Sequence, residues 1–179
     1  MLMNSIRMDL AAHKRKYVRE EVYAKVNSSI TLALINPCFA LVFYYRLYSH
    51  LYKSQNRFTR SISIILYYLV SRAYGCDIHP AANIGVPFKV AHCSDIVIGP
   101  LAEIGQNCYI FNGVSIGNKY VGEVSDMPVI GENVIIGTGS KILGGCSIGS
   151  YSTVGALTLV INDVPKNSTV VGVPGRILD

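Results

Sequence analysis

The sequence predicts a left-handed parallel β-helix preceded by a small α-helical domain. After Gly75 aliphatic residues recur in six-residue steps, and glycine directly follows many of them. Before Gly75 the pattern differs, because apolar residues recur there at three- and four-residue steps, as on one face of an α-helix. A six-residue period is typical of a parallel β-helix, in which each hexapeptide forms one short strand and one turn.

Fourteen aliphatic residues keep the six-residue step, in three registers. They are Ile78, Ile84, Val90 and Ile96; Ile98, Ile104, Ile110 and Ile116; and Ile130, Ile136, Ile142, Ile148, Val154 and Val160. Neither a 3.6-residue helix nor a two-residue strand alternation produces this spacing. We therefore expect each of these side chains to point inward and to stack on its counterpart eighteen residues later, at the roughly 4.8 Å spacing of neighbouring strands.

The repeats divide the chain into three parts: a helical N-terminal domain at 1–74, the β-helix at 75–163 and a C-terminal tail at 164–179. The repeat is interrupted at 118–128, which predicts a loop that protrudes from the β-helix and offers a binding surface. A shift of two residues between Ile96 and Ile98 is a smaller irregularity beside His92. Breaks in a strict pattern are where function is expected.

The first 74 residues predict roughly three helices. One begins near Pro37, because proline suits the first turn of a helix, and a second apolar run extends from Ile62 to Val70. The stretch Ile30–Tyr45 falls short of a membrane span and is interrupted by Asn36-Pro37. Much of the positive charge lies in this part, which predicts either a solvated helix face or contact with an anionic surface. The basic residues are Lys14, Arg15, Lys16, Arg19, Arg46, Lys53, Arg57, Arg60 and Arg72.

Composition indicates a folded protein of the cytoplasm. Half of the 179 residues are hydrophobic, 15% are charged and the formal net charge is +5, so a buried core is expected and wholesale disorder is not. The five cysteines form no C-x-x-C pair, and their odd number favours reduced thiols over a disulfide framework. The sequence also lacks the pattern of a signal peptide.

Several segments of the predicted β-helix resemble serine acetyltransferases, which are hexapeptide-repeat acyltransferases. The family patterns are "VDIHP", "DH…VVIG", "GVTLG", "IGAGAKILG" and "VVGVPARI". The matching segments here are GCDIHP at 75–80, VAH at 90–92 with VIG at 97–99, GVSIG at 113–117, IGTGSKILG at 136–144 and VVGVPGRI at 170–177. The resemblance implies an O-acetyltransferase that uses acetyl-CoA and no metal.

The resemblance assigns the catalytic residues. His92 is the base that deprotonates the acceptor hydroxyl, a task that suits the pKa of histidine, and Asp77 orients its ring as an aspartate does in a catalytic triad. The repeat arithmetic offers Asp95 as a rival partner, because it follows Asp77 by eighteen residues. His79 is interpreted as a corner residue bonded to the backbone. With only His79 and His92 in this segment, a zinc ligand set is incomplete.

The resemblance also places the coenzyme in a groove between neighbouring subunits, which implies a homotrimer. By position, Thr138, Gly139 and Ala156 line this groove, and Arg176 pairs with the nucleotide phosphates. Small residues there keep the backbone accessible. The alternatives are that Thr138 and Gly139 serve only a tight corner and that Arg176 is an ordinary surface charge.

Departures from the family concern the acceptor. Ala91 stands where serine acetyltransferases have an aspartate, and Asp126-Met127 stands where they have Arg-His in the protruding loop. An arginine is the natural partner of an amino acid's carboxylate, so its absence favours another acceptor. The pattern is closer to the relatives that acetylate sugars in capsule, O-antigen and exopolysaccharide pathways. Asn112 and Asp95 are the candidate acceptor-binding residues.

Three alternatives remain. The leading one is the sugar-modifying enzyme that the departures favour. The other two are a serine O-acetyltransferase with an altered acceptor site and a non-catalytic trimeric scaffold. A lipid-linked acceptor would fit a basic, tyrosine-rich helical domain in peripheral contact with the inner face of the membrane. No recognised motif supports binding of nucleic acid.

Overall fold

The computed structural model of the protein describes residues 1–14, 36–120 and 126–178. In these ranges three helices, α1 (Leu2–Lys14), α2 (Pro37–Tyr52) and α3 (Arg57–Tyr74), precede fifteen short strands. The strands are β1 (Asp77–Ile78), β2 (Asn83–Ile84), β3 (Phe88–Val90), β4 (Val97–Ile98), β5 (Glu103–Ile104), β6 (Cys108–Ile110), β7 (Ser115–Gly117), β8 (Val129–Ile130), β9 (Ile135–Ile136), β10 (Lys141–Leu143), β11 (Ser147–Ile148), β12 (Thr153–Val154), β13 (Leu159–Val160), β14 (Thr169–Val171) and β15 (Arg176–Leu178).

The strands form the three faces of a triangular coil. Sheet A has the order β1-β4-β7-β10-β13, sheet B the order β2-β5-β8-β11, and sheet C the order β3-β6-β9-β12-β14-β15. Every third strand therefore returns to the same sheet, and the pairing is parallel except between β14 and β15. The predicted parallel β-helix behind a helical N-terminal domain is confirmed.

The core of the β-helix is the set of residues that the six-residue step predicts. Each of the fourteen aliphatic side chains is at most 5% exposed. Glycines make one of the three corners tight: a Cβ at Gly85 would lie 2.5 Å from the amide nitrogen of Gln106, and one at Gly131 would lie 2.6 Å from that of Ser150. Stacked backbones leave no room for a side chain there.

The step between coils is not uniform. Val97 pairs with Asp77, twenty residues before it, whereas Ser115 pairs with Val97 after eighteen and Lys141 with Ser115 after twenty-six. Two inserted residues in the first coil therefore make Ile98, not Ile96, the partner of Ile78, and Asp95 does not stack over Asp77. The prediction of an eighteen-residue step was wrong for this coil.

The longer insertion lies between β7 and β8, where the protruding loop was predicted; residues 121–125 of that loop are outside the described ranges. The β-helix also extends beyond its predicted end at residue 163. Val164 bridges to Ile148, and β14 adds a further parallel strand to β12. Much of the predicted tail is thus part of the coil.

The helices close the first coil of the β-helix. The predicted start of a helix at Pro37 is confirmed, and the Asn36 side chain caps it by accepting hydrogen bonds from the next two available amides. From α2, the Tyr45 hydroxyl donates to the carbonyl of Ala82 and the Tyr48 hydroxyl to that of Ile78, each at 2.8 Å. These bonds satisfy carbonyls that the first coil has no neighbour to pair.

The basic run at 14–19 lies outside the described side chains, as does the apolar stretch before residue 36. In the part of the chain that the structure describes, no helix combines the length and the apolar character that crossing a membrane requires.

Candidate active site

The corners between each strand of sheet C and the next strand of sheet A form one long edge of the β-helix. We call it the His92 edge; it consists of residues 91–96, 111–114, 137–140 and 155–158. Backbone hydrogen bonds of 2.8–3.0 Å connect its corners, since the amides of Gly113, Gly139 and Leu157 donate to the carbonyls of the corner below. The accepting residues are Ser94, Asn112 and Thr138. The corners are therefore stacked directly on one another.

This stacking brings together candidate residues that lie far apart in the sequence. Asn112, Thr138 and Ala156 occupy the same corner position in successive coils, and the Thr138 hydroxyl oxygen lies 3.3 Å from Oδ1 of Asn112. In the first coil the same position is taken by His92, Cys93 and Ser94. Three coil spacings separate His92 from Ala156, which is about 14 Å.

His92 belongs to the two-residue insertion and is exposed. Its backbone φ is 54°, and that of Asp95 is 53°, so the corner turns through the left-handed region twice without glycine. Asp95 shares this conformation with Gly113, Gly139 and Leu157 at the same corner position of the later coils, so His92 is the additional left-handed residue, at a cost of roughly 1–3 kcal/mol. Within the described ranges the His92 ring makes no hydrogen bond. The insertion thus offers its ring to a ligand.

Asp77 lies close below this corner. Its amide donates to the carbonyl of Ile96 at 2.7 Å, and the amide of Asp95 donates to the carbonyl of Gly75 at 2.9 Å. In the described part of the chain, however, the Asp77 carboxylate accepts a hydrogen bond from the Tyr67 hydroxyl of α3, and no bond joins it to His92. The predicted pairing of Asp77 with His92 stays a prediction.

Tyr67 is a neighbour of the site that the sequence did not reveal. Burial, together with the hydrogen bond to the Asp77 carboxylate, raises the pKa of Tyr67, so its hydroxyl remains a donor at neutral pH. The tyrosine is one of many in the helical domain, and no local pattern distinguishes it. Only the tertiary contact between α3 and β1 identifies it.

His79 has the backbone partner expected of it. Its Nδ1 accepts a hydrogen bond from the Ala81 amide at 3.0 Å, and the ring packs against Tyr52 and Tyr67. Burial lowers the pKa of His79, and the Asp77 carboxylate opposes this shift. The ring is therefore held neutral in its corner.

Asp95 does not lie over Asp77, and the idea that stacking makes it a rival partner of His92 is wrong. It belongs to the corner itself, above Gly75, and its carboxylate lies beside Gly113 of the next coil, 3.9 Å from where a Cβ of that glycine would be. This position leaves it on the His92 edge, where an acceptor-binding role remains a prediction.

A pair of thiols adjoins the candidate base. The Cys93 amide donates to the sulfur of Cys38 at 3.3 Å, and Cys38 lies in the first turn of α2. A separate hydrogen bond between the Cys93 and Cys38 side chains, and then burial, raise the pKa of Cys93, so its sulfur is a neutral thiol at physiological pH. The corner that carries His92 is thus anchored to the helical domain.

Two basic residues flank the edge. Arg176 begins β15, and the amide of Gly175 just before it donates to the carbonyl of Leu159 at 2.7 Å, which places the exposed arginine near the upper end. Lys141, which the sequence analysis did not single out, donates from Nζ to the Gly113 carbonyl at 2.8 Å and to the Ser115 hydroxyl at 2.9 Å. The signal available in the sequence was the position of Lys141, which faces outward in a strand directly after a predicted corner.

The protruding loop starts from a different edge, between sheets A and B, which we call the loop edge. Met127 is 9% exposed and packs on Gly99, and the Asp126 carboxylate lies against Gly145. A cavity of about 390 Å³ lies here, lined by the Lys119 and Asp163 side chains among others. The loop begins and ends at the loop edge, and none of its described residues, 118–120 and 126–128, belongs to the His92 edge.

The arrangement has the parts of an acyl-transfer site. An exposed imidazole stands at one end of a row of small residues with accessible backbone, and a guanidinium stands near the other end. The small corner residues fit a long, slender ligand with amide groups: Thr138 and Ala156 are exposed, whereas the Leu157 side chain lies beside Gly139, 2.7 Å from where a Cβ would be. Arg176 fits a phosphate.

The chain is similar to known acetyltransferases. Residues 127–162 match the family described as "Bacterial transferase hexapeptide (six repeats)". The serine acetyltransferase of Bacillus subtilis (strain 168) is 43% identical over 110 residues, which are 61% of this chain and 51% of that protein. The chain thus spans about half the length of such curated relatives.

Solved structures resemble almost the whole chain. A soybean serine acetyltransferase complexed with serine aligns with a TM-score of 0.85 at 31% identity, over 99% of this chain and 69% of that one. A serine acetyltransferase in complex with CoA aligns with a TM-score of 0.81 at 31% identity, with the same coverage of 99% and 69%. None of the relatives named here is a sugar O-acetyltransferase, the group to which the sequence departures pointed.

Proposed function

The chain belongs to the hexapeptide-repeat transferases, and on that premise we propose that it is an O-acetyltransferase with acetyl-CoA as donor. The observation that carries the proposal is the His92 edge, where an exposed histidine and the small corner residues of two later coils lie in one row. A non-catalytic scaffold would require the same rigid coil but no strained insertion that projects a histidine.

The coenzyme supplies the acetyl group as a thioester. His92 takes the proton of the acceptor hydroxyl, since a hydroxyl is a weak nucleophile at neutral pH and an imidazole is a suitable base. The hydroxyl oxygen bonds to the acetyl carbon, the C–S bond of the thioester breaks, and the protonated imidazole returns the proton to the departing sulfur, so that CoA leaves as a thiol. Asp77 stabilises the protonated ring and sets its orientation, and Tyr67 holds the Asp77 carboxylate in place. Thr138, Gly139 and Ala156 offer backbone groups to the pantetheine arm, and Arg176 pairs with a phosphate.

The working unit of the proposal is a cytoplasmic homotrimer. In a single chain His92 is exposed and the protruding loop starts from another edge, so a closed site requires a second chain. The exclusion of water that strengthens electrostatic interactions in active sites would then come from the neighbouring subunit. Trimer formation and activity are therefore coupled in this proposal.

Two acceptors are considered. The names of the relatives support L-serine, whose acetylation belongs to cysteine biosynthesis. The residues around the loop support a sugar hydroxyl of a capsule, O-antigen or exopolysaccharide pathway: Ala91 is 3% exposed and offers no polar group, and Met127 is packed inward against Gly99. An exposed carboxylate, Asp126, stands where an amino acid's carboxylate would need a cation. Asn112 and Asp95 are then the polar groups that face the acceptor, which is free or lipid-linked.

The first experiment tests acetyl transfer. The purified chain is incubated with acetyl-CoA and an acceptor panel of L-serine and pathway sugars, and release of the free CoA thiol is followed. His92→Gln is expected to lower the rate by about 10²–10⁴-fold while CoA binding is retained. His79→Gln is the matched control, and its kcat is expected to change less than that of His92→Gln.

The outcomes separate the candidates. Stimulation of thiol release by L-serine alone supports the serine acetyltransferase, and stimulation by a sugar alone supports the sugar acetyltransferase. A wild-type protein that binds no CoA and releases no thiol with any acceptor is a scaffold. Equal activity of His92→Gln and the wild type would exclude His92 as the base.

A further inference from the structure

Helix α3 carries an apolar stripe on the outside of the molecule. Phe58, Ile62, Ile65 and Leu69 follow one another at steps of four, three and four residues, so their side chains line one face of the helix. Their exposed fractions are 73%, 40%, 61% and 61%. We call these four residues the outer stripe; it extends over about 16 Å of helix.

The opposite face of α3 is the one that packs on the protein, and Leu66 and Tyr67 of this face pack against the hydrophobic core. The buried Ser63 hydroxyl donates to the carbonyl of Tyr48 at 2.6 Å, and the Tyr67 hydroxyl donates to the Asp77 carboxylate. Val70 is the buried aliphatic residue of this face. The inner face already holds α3 on the protein, so the outer stripe is an additional, exposed apolar surface, and a contiguous surface of this kind marks an interaction site.

The charge around the outer stripe is positive. Exposed arginines stand at its two ends, Arg57 before Phe58 and Arg72 one turn after Leu69. The three described helices contain a single carboxylate, that of Asp9, which is 1% exposed and paired with Arg46 at 2.8 Å. The sequence has no Asp or Glu between Glu21 and Asp77. The three described helices therefore offer cations and apolar side chains together, and their one carboxylate is buried.

The exposed apolar side chains and the arginines together distinguish an anionic lipid surface from a second copy of the chain that docks through the same face of α3. A second copy of the chain that docked through the same face would bring Arg57 and Arg72 of both copies together, with no exposed carboxylate on these helices to pair with them. An anionic lipid surface complements both features, since its acyl region receives apolar side chains and its phosphates receive the guanidinium groups. Tyr68, 61% exposed and one turn from Ile65, suits the headgroup level.

We propose that α3 binds an anionic membrane surface by lying in its plane, with the outer stripe in the acyl region and Arg57 and Arg72 at the phosphates. The helix anchors the chain without crossing the bilayer. The proposal does not depend on acetyl transfer, because the outer stripe and the His92 edge share no residue. It gives the chain a location at which lipid-linked molecules are within reach.

Co-sedimentation with vesicles tests the proposal on the full chain. The wild type is expected to bind vesicles of equal parts phosphatidylglycerol and phosphatidylcholine and to bind phosphatidylcholine vesicles at least tenfold more weakly. Ile65→Gln/Leu69→Gln should lower binding at least tenfold, and Arg57→Gln/Arg72→Gln should lower it about fivefold for each arginine. Leu101→Gln, which changes an exposed leucine on the loop edge, is the matched control and should bind as the wild type does.

Light scattering on the same samples shows whether a second copy of the chain covers the outer stripe. A wild type that fails to bind anionic vesicles overturns the proposal, and so does vesicle binding that Ile65→Gln/Leu69→Gln leaves unchanged. Loss of molecular mass in that variant, without vesicle binding by the wild type, would assign the outer stripe to a second copy of the chain. CoA release by each variant, measured in solution, reports on the acetyltransferase separately.

Discussion

Cys93 shows how a single residue of the proposed site depends on its surroundings. Because the hydrogen bond to Cys38 and burial raise the pKa of Cys93, its thiolate is scarce at pH 8, and each unit of such a rise lowers the thiolate fraction about tenfold. We expect iodoacetamide to alkylate Cys93 at least tenfold more slowly than a cysteine in an unfolded peptide. Mass spectrometry of the timed reaction measures this rate.

The pH dependence and a variant sharpen the same prediction. The alkylation rate should still be rising above pH 9, where an ordinary thiol approaches its plateau. Cys38→Ala removes the first cause of the shift and should accelerate the reaction at Cys93, whereas Cys146→Ala, on a distant corner, should not. A rate at Cys93 equal to that of the unfolded peptide at every pH would contradict the raised pKa.

At the level of single residues the sequence was informative where a motif carried the chemistry. His92 and Thr138 were found from separate motifs and Ala156 from its position in the resemblance, and the stacking of corners places them on one edge. The error over Asp95 arose because an insertion of two residues changes the step of one coil, and counting by eighteens cannot say which residues bulge. Tyr67 was missed because its partner is a carboxylate on another element.

At the scale of secondary-structure elements, one buried ion pair joins the helices to the β-helix. Arg46 of α2 binds the Asp9 carboxylate of α1 and donates to the carbonyls of Ile84 and Gly85 at 2.5 and 2.6 Å. The same carboxylate accepts a hydrogen bond from the Phe88 amide at 2.8 Å. Three elements that are distant in sequence therefore share one network.

This network predicts a large loss of stability when it is broken on one side. Arg46→Leu leaves the Asp9 carboxylate buried without its cation, and removal of one partner of a buried pair costs about 3–5 kcal/mol. Urea unfolding followed by circular dichroism measures the change. Arg7→Leu, which removes an exposed arginine of α1, is the control and should change the free energy of unfolding by less than about 0.5 kcal/mol.

A double variant shows whether charge is the cause. Asp9→Asn/Arg46→Leu removes both charges and should recover part of the loss, with the two carbonyls of Ile84 and Gly85 still unpaired. Equal stability of Arg46→Leu and the wild type would mean that the pair does not hold the helices in place. No sequence pattern predicts this contact, because Asp9 and Arg46 lie in two separate helices and neither belongs to a motif.

At the scale of the whole molecule, the six-residue period predicted the regular part of the structure, which is the β-helix. Fourteen aliphatic residues at this spacing do not line one face of an α-helix, so the pattern predicts short strands. The three sheets and the core followed from it. The docking of the helices and the limits of the last coil did not follow. They depend on contacts between elements, which a local period does not encode.

The three edges of the β-helix differ in what they carry, and this predicts a difference in function. The His92 edge holds the candidate coenzyme residues of the corners, whereas the edge between sheets B and C holds none of them. Ala156→Trp places a bulky ring on the His92 edge, where we expect it to obstruct the coenzyme and raise the KM for acetyl-CoA at least tenfold. Gln106→Trp puts the same exposed ring on the edge between sheets B and C and should leave that KM within about twofold, because both residues are exposed and surface changes cost less than about 0.5 kcal/mol.

Titration calorimetry with CoA and light scattering on both variants separate loss of binding from loss of assembly. Equal weakening of CoA binding by the two substitutions, with assembly intact, would remove the coenzyme from the His92 edge.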